Sequence, residues 1–503
     1  MTELTTHRHR FWERTVLGPM LAGLLYLGAF APANLSPMVV AGLMAFLYCL
    51  RGLGPVEARR AGFLFGMVVT CAGCFWLRNI FGWVFIVLCA AQSLFWGLFG
   101  WGHAVIDRQP WSRWRKALAV ACVWTGVEFI RAEHFWLDFP WLTPGHGLGV
   151  IQFVTQPLLS SIGVYGVGFV VVCGSGLLQP LLQRVAGARR WRAAGQSPPN
   201  ASNVAYLATL VVLYLILAVH YLSSSFCEFN SGAARRDGGL PAISFAAIQD
   251  EHGSLENFMT LTKDLSGKPD LIIWPEEAVP NDLARLPYDH ELLLDLVKQK
   301  DCVLVLGTQE KGAGRAWRNT ALTLDPSGER GRHYKMHPVH LFNDGTPGTE
   351  ARPVPTRLGK IGTPICFDCD YEDVVRRMTR NGAAFFAVPS MDPIAWGPEE
   401  RQMHSELFRI RAAENGRAMI VCATSGVTQA IDAWGINVWR WNQDRTPHDD
   451  GTLPIMVPGI LAGELPIRTG FTFYTLYGWL FPWVALGASV LILGRVLVRE
   501  RRT

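Results

Sequence analysis

The chain has 503 residues, half of them apolar, with 19 tryptophans and a formal net charge of only +5. That composition excludes a single soluble domain. The arginines gather in short stretches between apolar runs, which points to membrane topology and away from nucleic acid. The 11 cysteines form no dense disulfide framework.

Residues 15 to 225 are almost continuously apolar, 226 to 470 are mixed, and 472 to 497 are apolar again. Three parts are therefore expected: a membrane domain over 1–225, a mixed domain over 226–470, and a closing span with a basic tail over 471–503. The first apolar run is Val16 to Ala33. Ala29-Phe30-Ala31 imitates a signal-peptide cleavage site, but Pro32 follows at once and another apolar run begins within a few residues, so a retained span is expected. Further spans are expected at Pro37 to Leu50, Ala61 to Leu77, Ile80 to Ala104, Ala117 to Phe129, Leu158 to Leu182, Tyr206 to Leu222 and Phe471 to Leu493. With about eight polytopic helices, several shorter than the roughly 20 residues that cross a bilayer, some should be tilted or broken. Cys49, Cys71, Cys74, Cys89, Cys122 and Cys173 lie in these runs and read as small hydrophobes.

Every second loop is basic. Arg8, Arg10 and Arg14 precede the first span; Arg51, Arg59 and Arg60 follow the second. Arg108, Arg113, Arg115 and Lys116 follow the fourth, and Arg184, Arg189, Arg190 and Arg192 follow the sixth. The chain ends in Arg495, Arg499, Arg501 and Arg502. The alternate loops are nearly free of Lys and Arg, so both termini are expected in the cytoplasm and the mixed domain on the far side. One outer loop, Glu133 to Leu142, is aromatic and bears Pro140. It reads either as an interfacial aromatic belt or as the floor of a lipid-accessible site. Glu128 and Arg131 just before it read either as helix-end residues or as functional groups at membrane depth.

The mixed domain alternates strand-like and helical patterns. Strands are expected at Ile243 to Ile248, Leu271 to Trp274, Cys302 to Gly307, Thr320 to Leu324, Ile361 to Cys366, Phe385 to Val388 and Ala418 to Ala423. Helices are expected at His290 to Lys300, Asp370 to Asn381 and Glu399 to Asn415, giving an α/β layer fold. Three chemically active residues close such strands: Glu276, Lys335 and Cys366. A thiol near its reference pKa of about 8.5 is only slightly ionised at neutral pH and needs a base. Glu276 is the candidate proton acceptor, since burial raises a carboxyl toward the working range. Lys335 would favour the thiolate and stabilise an oxyanion, with a backbone N–H after Cys366.

Trp274-Pro275-Glu276, Tyr334-Lys335-Met336-His337 and Pro364-Ile365-Cys366-Phe367-Asp368 resemble the three motif blocks of the nitrilase (carbon–nitrogen hydrolase) superfamily. Arg411 to Arg417 and Thr424-Ser425-Gly426 resemble its later blocks. The membrane part, with Phe139-Pro140-Trp141-Leu142 and Gly163 to Phe169, is similar to one branch, the bacterial apolipoprotein N-acyltransferases. The resemblance implies a nitrilase-like αββα sandwich outside the inner (cytoplasmic) membrane. It implies an enzyme with a Glu-Lys-Cys triad that moves an acyl chain from a phospholipid donor to the amino group of a diacylglyceryl-modified apolipoprotein through a cysteine thioester. It implies no cofactor. Alternatives are a membrane-tethered amidase and a non-catalytic scaffold.

The chain departs from that branch in places. A glutamate usual after the lysine is replaced in His340 to Gly345, where Asp344 is a shorter substitute. Asp368 stands for the usual glutamate two residues after the nucleophile. Ser390 to Gly397, with Trp396, replaces a compact Asn-Asp-Ala-Trp-Phe-Gly segment. Asp344, Asp368 and Trp396 are therefore expected as supporting residues. Cys366 and Cys369 form a C-x-x-C, but no thioredoxin-like context accompanies it. His333, His337 and His340 have metal-like spacing without a reason to converge, and no metal is expected. Glu277 should face away from Glu276, and Cys302 and Cys422 read as core.

Overall fold

The computed structural model describes residues 12–149, 152–193, 242–314, 316–440 and 459–502. The chain divides into two compact units, one of Met1–Cys227 with Trp479–Thr503 and one of Glu228–Gly478.

The first unit is helical. Its helices include Gly18–Leu27, Pro37–Leu50, Pro55–Gly73, Phe85–Asp107, Arg113–Phe129, Gln152–Ala193 and Phe481–Glu500. Among the described residues, Leu77–Asp107, Thr155–Gln179 and Gly478–Glu500 are long and apolar enough to cross a membrane, while Pro37–Leu50 is apolar but shorter. The span expected at Tyr206 to Leu222 lies outside the described residues. The Gln152–Ala193 helix is broken at Gly163, whose φ of 70° is non-helical. Pro55–Gly73 and Phe85–Asp107 pack backbone against backbone. A Cβ at Gly62 would fall 2.1 Å from the Trp96 carbonyl oxygen, and one at Gly100 would fall 2.2 Å from that of Ala58.

Arg131 braces the aromatic loop. Its guanidinium donates to the carbonyl oxygens of Phe139 (2.9 Å) and Trp141 (3.0 Å) and to Gln92 Oε1 (3.2 Å), and lies over the Trp96 ring. Glu128 is buried and accepts from Trp124 Nε1 at 3.2 Å. Arg131 thus satisfies backbone carbonyls that burial would otherwise leave unpaired.

The second unit is a sandwich of two six-stranded sheets. In chain order the strands are β1 (Ala242–Gln249), β2 (Leu271–Ile273), β3 (Val303–Lys311), β4 (Trp317–Asp325), β5 (Gly328–Tyr334), β6 (Val354–Thr356), β7 (Gly359–Gly362), β8 (Phe385–Ser390), β9 (Met419–Ala423), β10 (Gln429–Ile431), β11 (Asn437–Arg440) and β12 (Gly459–Pro466). One sheet runs β12-β1-β2-β3-β4-β5 and the other β11-β10-β9-β8-β7-β6. The central pairs β1–β2, β2–β3, β7–β8 and β8–β9 are parallel. Parallel strands are covered on both faces, and the sequence alternation divides accordingly. Phe245, Ile273, Val305, Phe385 and Ile420 meet between the sheets. The intervening residues Ile272, Trp274, Leu304 and Leu306 form an outer layer with Leu293, Leu296 and Val297 of the Pro287–Lys300 helix. On the other side Phe386, Val388, Met419 and Val421 pack with Val374, Met378, Phe408 and Ala412 of the Asp373–Arg380 and Pro398–Asn415 helices. The order of layers is helix, sheet, sheet, helix.

Cys422 and Cys302 are core residues, as expected; the Cys422 thiol donates to the carbonyl oxygens of Ile248 (3.2 Å) and Ile273 (3.3 Å). One expected strand is shorter than its apolar run. The ladder over Ile361 to Cys366 stops at Gly362. Pro364 has no N–H to continue it, and the chain instead turns into a single 3-10 turn, Cys366–Cys369.

Candidate active site

Glu276 follows β2, Lys335 follows β5, and Cys366 opens the turn after β7. Glu276 is held from both sheets. Its N–H donates to the carbonyl oxygen of Ser390 at the end of β8 (3.4 Å), and Gly307 of β3 lies against the Pro275–Glu277 backbone. A Cβ at Gly307 would lie 2.4 Å from the Glu277 nitrogen and 2.5 Å from Glu276 Cα, so only glycine allows that approach. The Lys335 N–H donates to the Asn319 carbonyl oxygen at 2.9 Å, which fixes the lysine beside β4.

The side chains form a buried charge cluster. Lys335 Nζ lies 2.8 Å from Glu276 Oε1 and 2.7 Å from Asp344 Oδ2. Asn319 Nδ2 donates to both acids, to Glu276 Oε1 at 2.6 Å and to Asp344 Oδ1 at 2.9 Å. Asp344 also accepts the Val339 N–H at 2.9 Å. Glu276 Oε2 is buried and has no hydrogen-bond partner among the described residues.

Burial pushes the Glu276 carboxyl up to about 7; Lys335 opposes that shift, and the acids Asp344 and Glu277 add to it. Burial disfavours the Lys335 ammonium, but Glu276, Cys366 and Asp344 outweigh it and hold the pKa well above the ordinary lysine range. Burial and the Glu276 charge, against the pull of Lys335, keep the Cys366 thiol well above its usual value. At neutral pH the resting site therefore holds a protonated thiol and a charged lysine beside a Glu276 carboxyl close to its titration midpoint. Such a site works by proton removal during attack rather than with a standing thiolate.

Cys366 has a φ of +46°, a left-handed conformation that costs a non-glycine residue roughly 1–3 kcal/mol. Its thiol donates to the Met391 carbonyl oxygen at 3.6 Å. The turn is pinned by Asp368, which is fully buried. One carboxylate oxygen accepts the N–H groups of Met336 and His337 (both 2.8 Å); the other accepts the Ile365 N–H (3.0 Å) and faces His333 Nε2 (2.9 Å). Asp368 thereby fastens the lysine segment to the nucleophile turn.

The remaining residues sort by position. Glu277, at φ +52°, turns away and accepts from Gln309 Nε2 at 3.1 Å. Cys369 is buried in the layer beneath the Asp373–Arg380 helix. The three histidines have separate neighbours: His333 meets Asp368, His337 meets Asp373 at 2.8 Å, and the His340 ring is 6.4 Å from that of Phe367. Trp396, on the turn Ile394–Trp396, pairs with Phe342 at 5.6 Å between ring centres, and Leu341 beside it is 59% exposed. Asn319 and the Met391 carbonyl were not expected. An asparagine in mid-strand and a backbone oxygen carry no motif of their own.

The two-sheet sandwich is that of a carbon–nitrogen hydrolase, and residues 246–446 match the family model of that description, Carbon-nitrogen hydrolase. Residues 22–177 match the Apolipoprotein N-acyltransferase N-terminal domain. The chain thus combines an apolipoprotein N-acyltransferase N-terminal domain with a carbon–nitrogen hydrolase domain, and proteins named apolipoprotein N-acyltransferase match it along nearly its whole length. It is similar to the apolipoprotein N-acyltransferase of Geobacter metallireducens, 23% identical over 528 residues that cover 95% of each chain. That of Nitrosomonas europaea is 25% identical over 461 residues, 82% of this chain and 86% of its own. Among solved structures, a carbon–nitrogen hydrolase from Helicobacter pylori G27 is 18% identical with a TM-score of 0.37, covering 45% of this chain and 89% of that one.

Proposed function

We propose that this chain is an N-acyltransferase of lipoprotein maturation. It takes an acyl chain from a phospholipid onto Cys366 as a thioester and passes it to the N-terminal amino group of a diacylglyceryl-modified apolipoprotein. Glu276 is the proton acceptor, and its buried oxygen Oε2, without a hydrogen-bond partner among the described residues, is the observation that carries this role. In the first half-reaction Glu276 removes the Cys366 proton as sulfur attacks the donor's ester carbonyl. Lys335 then stabilises the oxyanion, and the leaving lipid oxygen takes the proton back. In the second, the incoming amine attacks the thioester and gives its proton to Glu276, and the Cys366 thiolate leaves and takes that proton. Asp344 and Asn319 hold the lysine and glutamate in place.

The names of the relatives and the N-terminal domain match support acyl transfer to an apolipoprotein amino group, and the extensive apolar helical part favours a lipid donor. About eight spans, an inner-membrane setting, cytoplasmic termini and a catalytic unit outside the cytoplasm complete the proposal, on the basis of the alternating basic loops. Incubation with phospholipid should leave a hydroxylamine-sensitive adduct on the peptide containing Cys366. Cys366→Ala should lose both adduct and N-acylation, while Cys369→Ala keeps both. An adduct that disappears with Cys369→Ala would refute the assignment, and release of free fatty acid in place of N-acylated product would identify a hydrolase instead.

A further inference from the structure

A second charged group lies beside the nucleophile and is not used by the acid–lysine–cysteine arrangement. His404, on the Pro398–Asn415 helix, is buried, and each ring nitrogen faces a carboxylate. Nδ1 is 2.5 Å from Asp392 Oδ1, and Nε2 is 3.0 Å from Asp370 Oδ1. Asp370 follows the nucleophile turn directly, and Asp392 follows β8; both are buried. Nδ1 is hydrogen-bonded to Asp392, while Nε2 lies at ion-pair distance from Asp370 without an aligned hydrogen bond to it, so the second acid is met by charge, which only the imidazolium carries. Burial alone disfavours that form, but Asp392 and Asp370 outweigh it and hold the His404 pKa well above the ordinary histidine value.

The Cys366 sulfur, an Asp392 carboxylate oxygen and a His404 ring nitrogen lie within 4.8 Å of one another. That spacing alone would suit a metal ion, but both ring nitrogens already face acids, and the arrangement is an ion bridge. Among the described residues the charges around it come from three elements, with Glu251, just after β1, acting on Arg401. Asp370 comes from the nucleophile turn, Asp392 from the end of β8, and Glu400 and Arg401 from the histidine's own helix. Arg401 Nε donates to the Asp392 backbone oxygen (3.3 Å), as does Ser425 Oγ (2.7 Å). The thiol itself feels Glu276, Lys335 and Asp392. Glu276 must be negative to act as base. A bare Asp392 would only oppose loss of the thiol proton.

We propose that His404 is a positioning residue for the nucleophile: bridging Asp370 and Asp392 as an imidazolium, it neutralises the acid beside Cys366, so that Glu276 takes the thiol proton while the Lys335 charge favours the thiolate. The inference rests on Cys366 being the nucleophile, as proposed above.

The test is the pH profile of Cys366 alkylation by iodoacetamide in the full-length protein, read on the Cys366 peptide by mass spectrometry. Wild type, His404→Gln, Asp392→Asn and the double variant are compared. His404→Gln is expected to alkylate about tenfold more slowly at pH 7, a displacement of about one pH unit. Its turnover should fall while KM for the acceptor is unchanged. The double variant is expected to return to within about threefold of wild type, because a neutral amide at position 392 needs no cation. That recovery separates charge neutralisation from packing, since two lost side chains cannot repair a packing defect. A wild-type profile in His404→Gln, or no recovery in the double variant, would overturn the proposal. If His404→Gln does not accumulate in membranes, Asp392→Asn alone decides. It removes one acid and keeps the cation, so its profile should move to lower pH, and an unmoved or raised profile overturns the idea. If Cys366→Ala retains acyl transfer, the functional reading fails separately, whatever the profiles show.

Discussion

Glu276 divides its two oxygens between tasks: Oε1 is held by Lys335 and Asn319, and Oε2 has no partner among the described residues. Two outcomes follow for this residue. Glu276→Gln should abolish acyl transfer and slow Cys366 alkylation while the protein still accumulates in membranes; full activity would transfer the role to Glu277 or Asp368. Since burial raises the Glu276 carboxyl to about 7, and only the carboxylate accepts a proton, kcat/KM should rise with pH through a midpoint near that value. A flat profile between pH 6 and 8 would show a base titrating elsewhere. Asp344→Asn should lower turnover about tenfold without preventing folding, because the amide keeps one acceptor for Asn319 or Val339 but loses the charge on Lys335. Glu276, Lys335 and Cys366 were legible in the sequence because each stands in a motif block after a strand. Asn319 and His404 were not, because their significance lies in partners 43 and 12 residues away that only the folded sandwich brings near.

The strands are legible for a related reason. Fully buried parallel strands read as short apolar runs, and β2, β8 and β9 follow their runs closely. The nucleophile run was misread at its end, since an apolar Thr-Pro-Ile-Cys continues the hydrophobic pattern after the ladder has stopped. Two changes test how elements hold the site. Gly307→Ala on β3 must displace the Pro275–Glu277 backbone, and a shift near 1 Å at a base costs about a hundredfold in rate. The variant should therefore lose turnover while Cys366 can still be alkylated at high pH; wild-type turnover would mean the backbone there yields freely. Asp368→Asn removes a buried acceptor of three N–H groups and the partner of His333, which should cost roughly 3 kcal/mol, read as a lower unfolding temperature. Burial opposes the Asp368 charge, but His333, His337 and the Ile365 N–H outweigh it and depress its pKa. Its stabilisation is therefore complete above the unfolded value near 4 and is lost as pH falls through the folded pKa, so variant and wild type should converge in strong acid.

For the whole molecule, the proposed topology has a direct test. A reporter active only outside the cytoplasm should work when fused after Ser224 and fail when fused after Arg192; the reverse result would put the catalytic unit on the cytoplasmic side. The composition steps at 225 and 470 were read from hydropathy alone, because lipid and water select different residues over long windows. The glycine contacts between helices escaped that reading, since a glycine in an apolar run carries no sign of the neighbour it admits.

The first and last strands of the second unit, β1 and β12, are neighbours, with Ala242 paired to Pro466 and Gln249 to Gly459. Ala242 and Pro466 therefore stand side by side at one sheet edge. Tension applied between these two residues reaches the antiparallel ladder from its Ala242–Pro466 end and opens it like a zipper, one pair at a time, instead of shearing all eight pairs together. In a single-molecule pulling experiment through residues 242 and 466, this edge should yield first and at low force, with the β2–β3 centre of the sheet still folded.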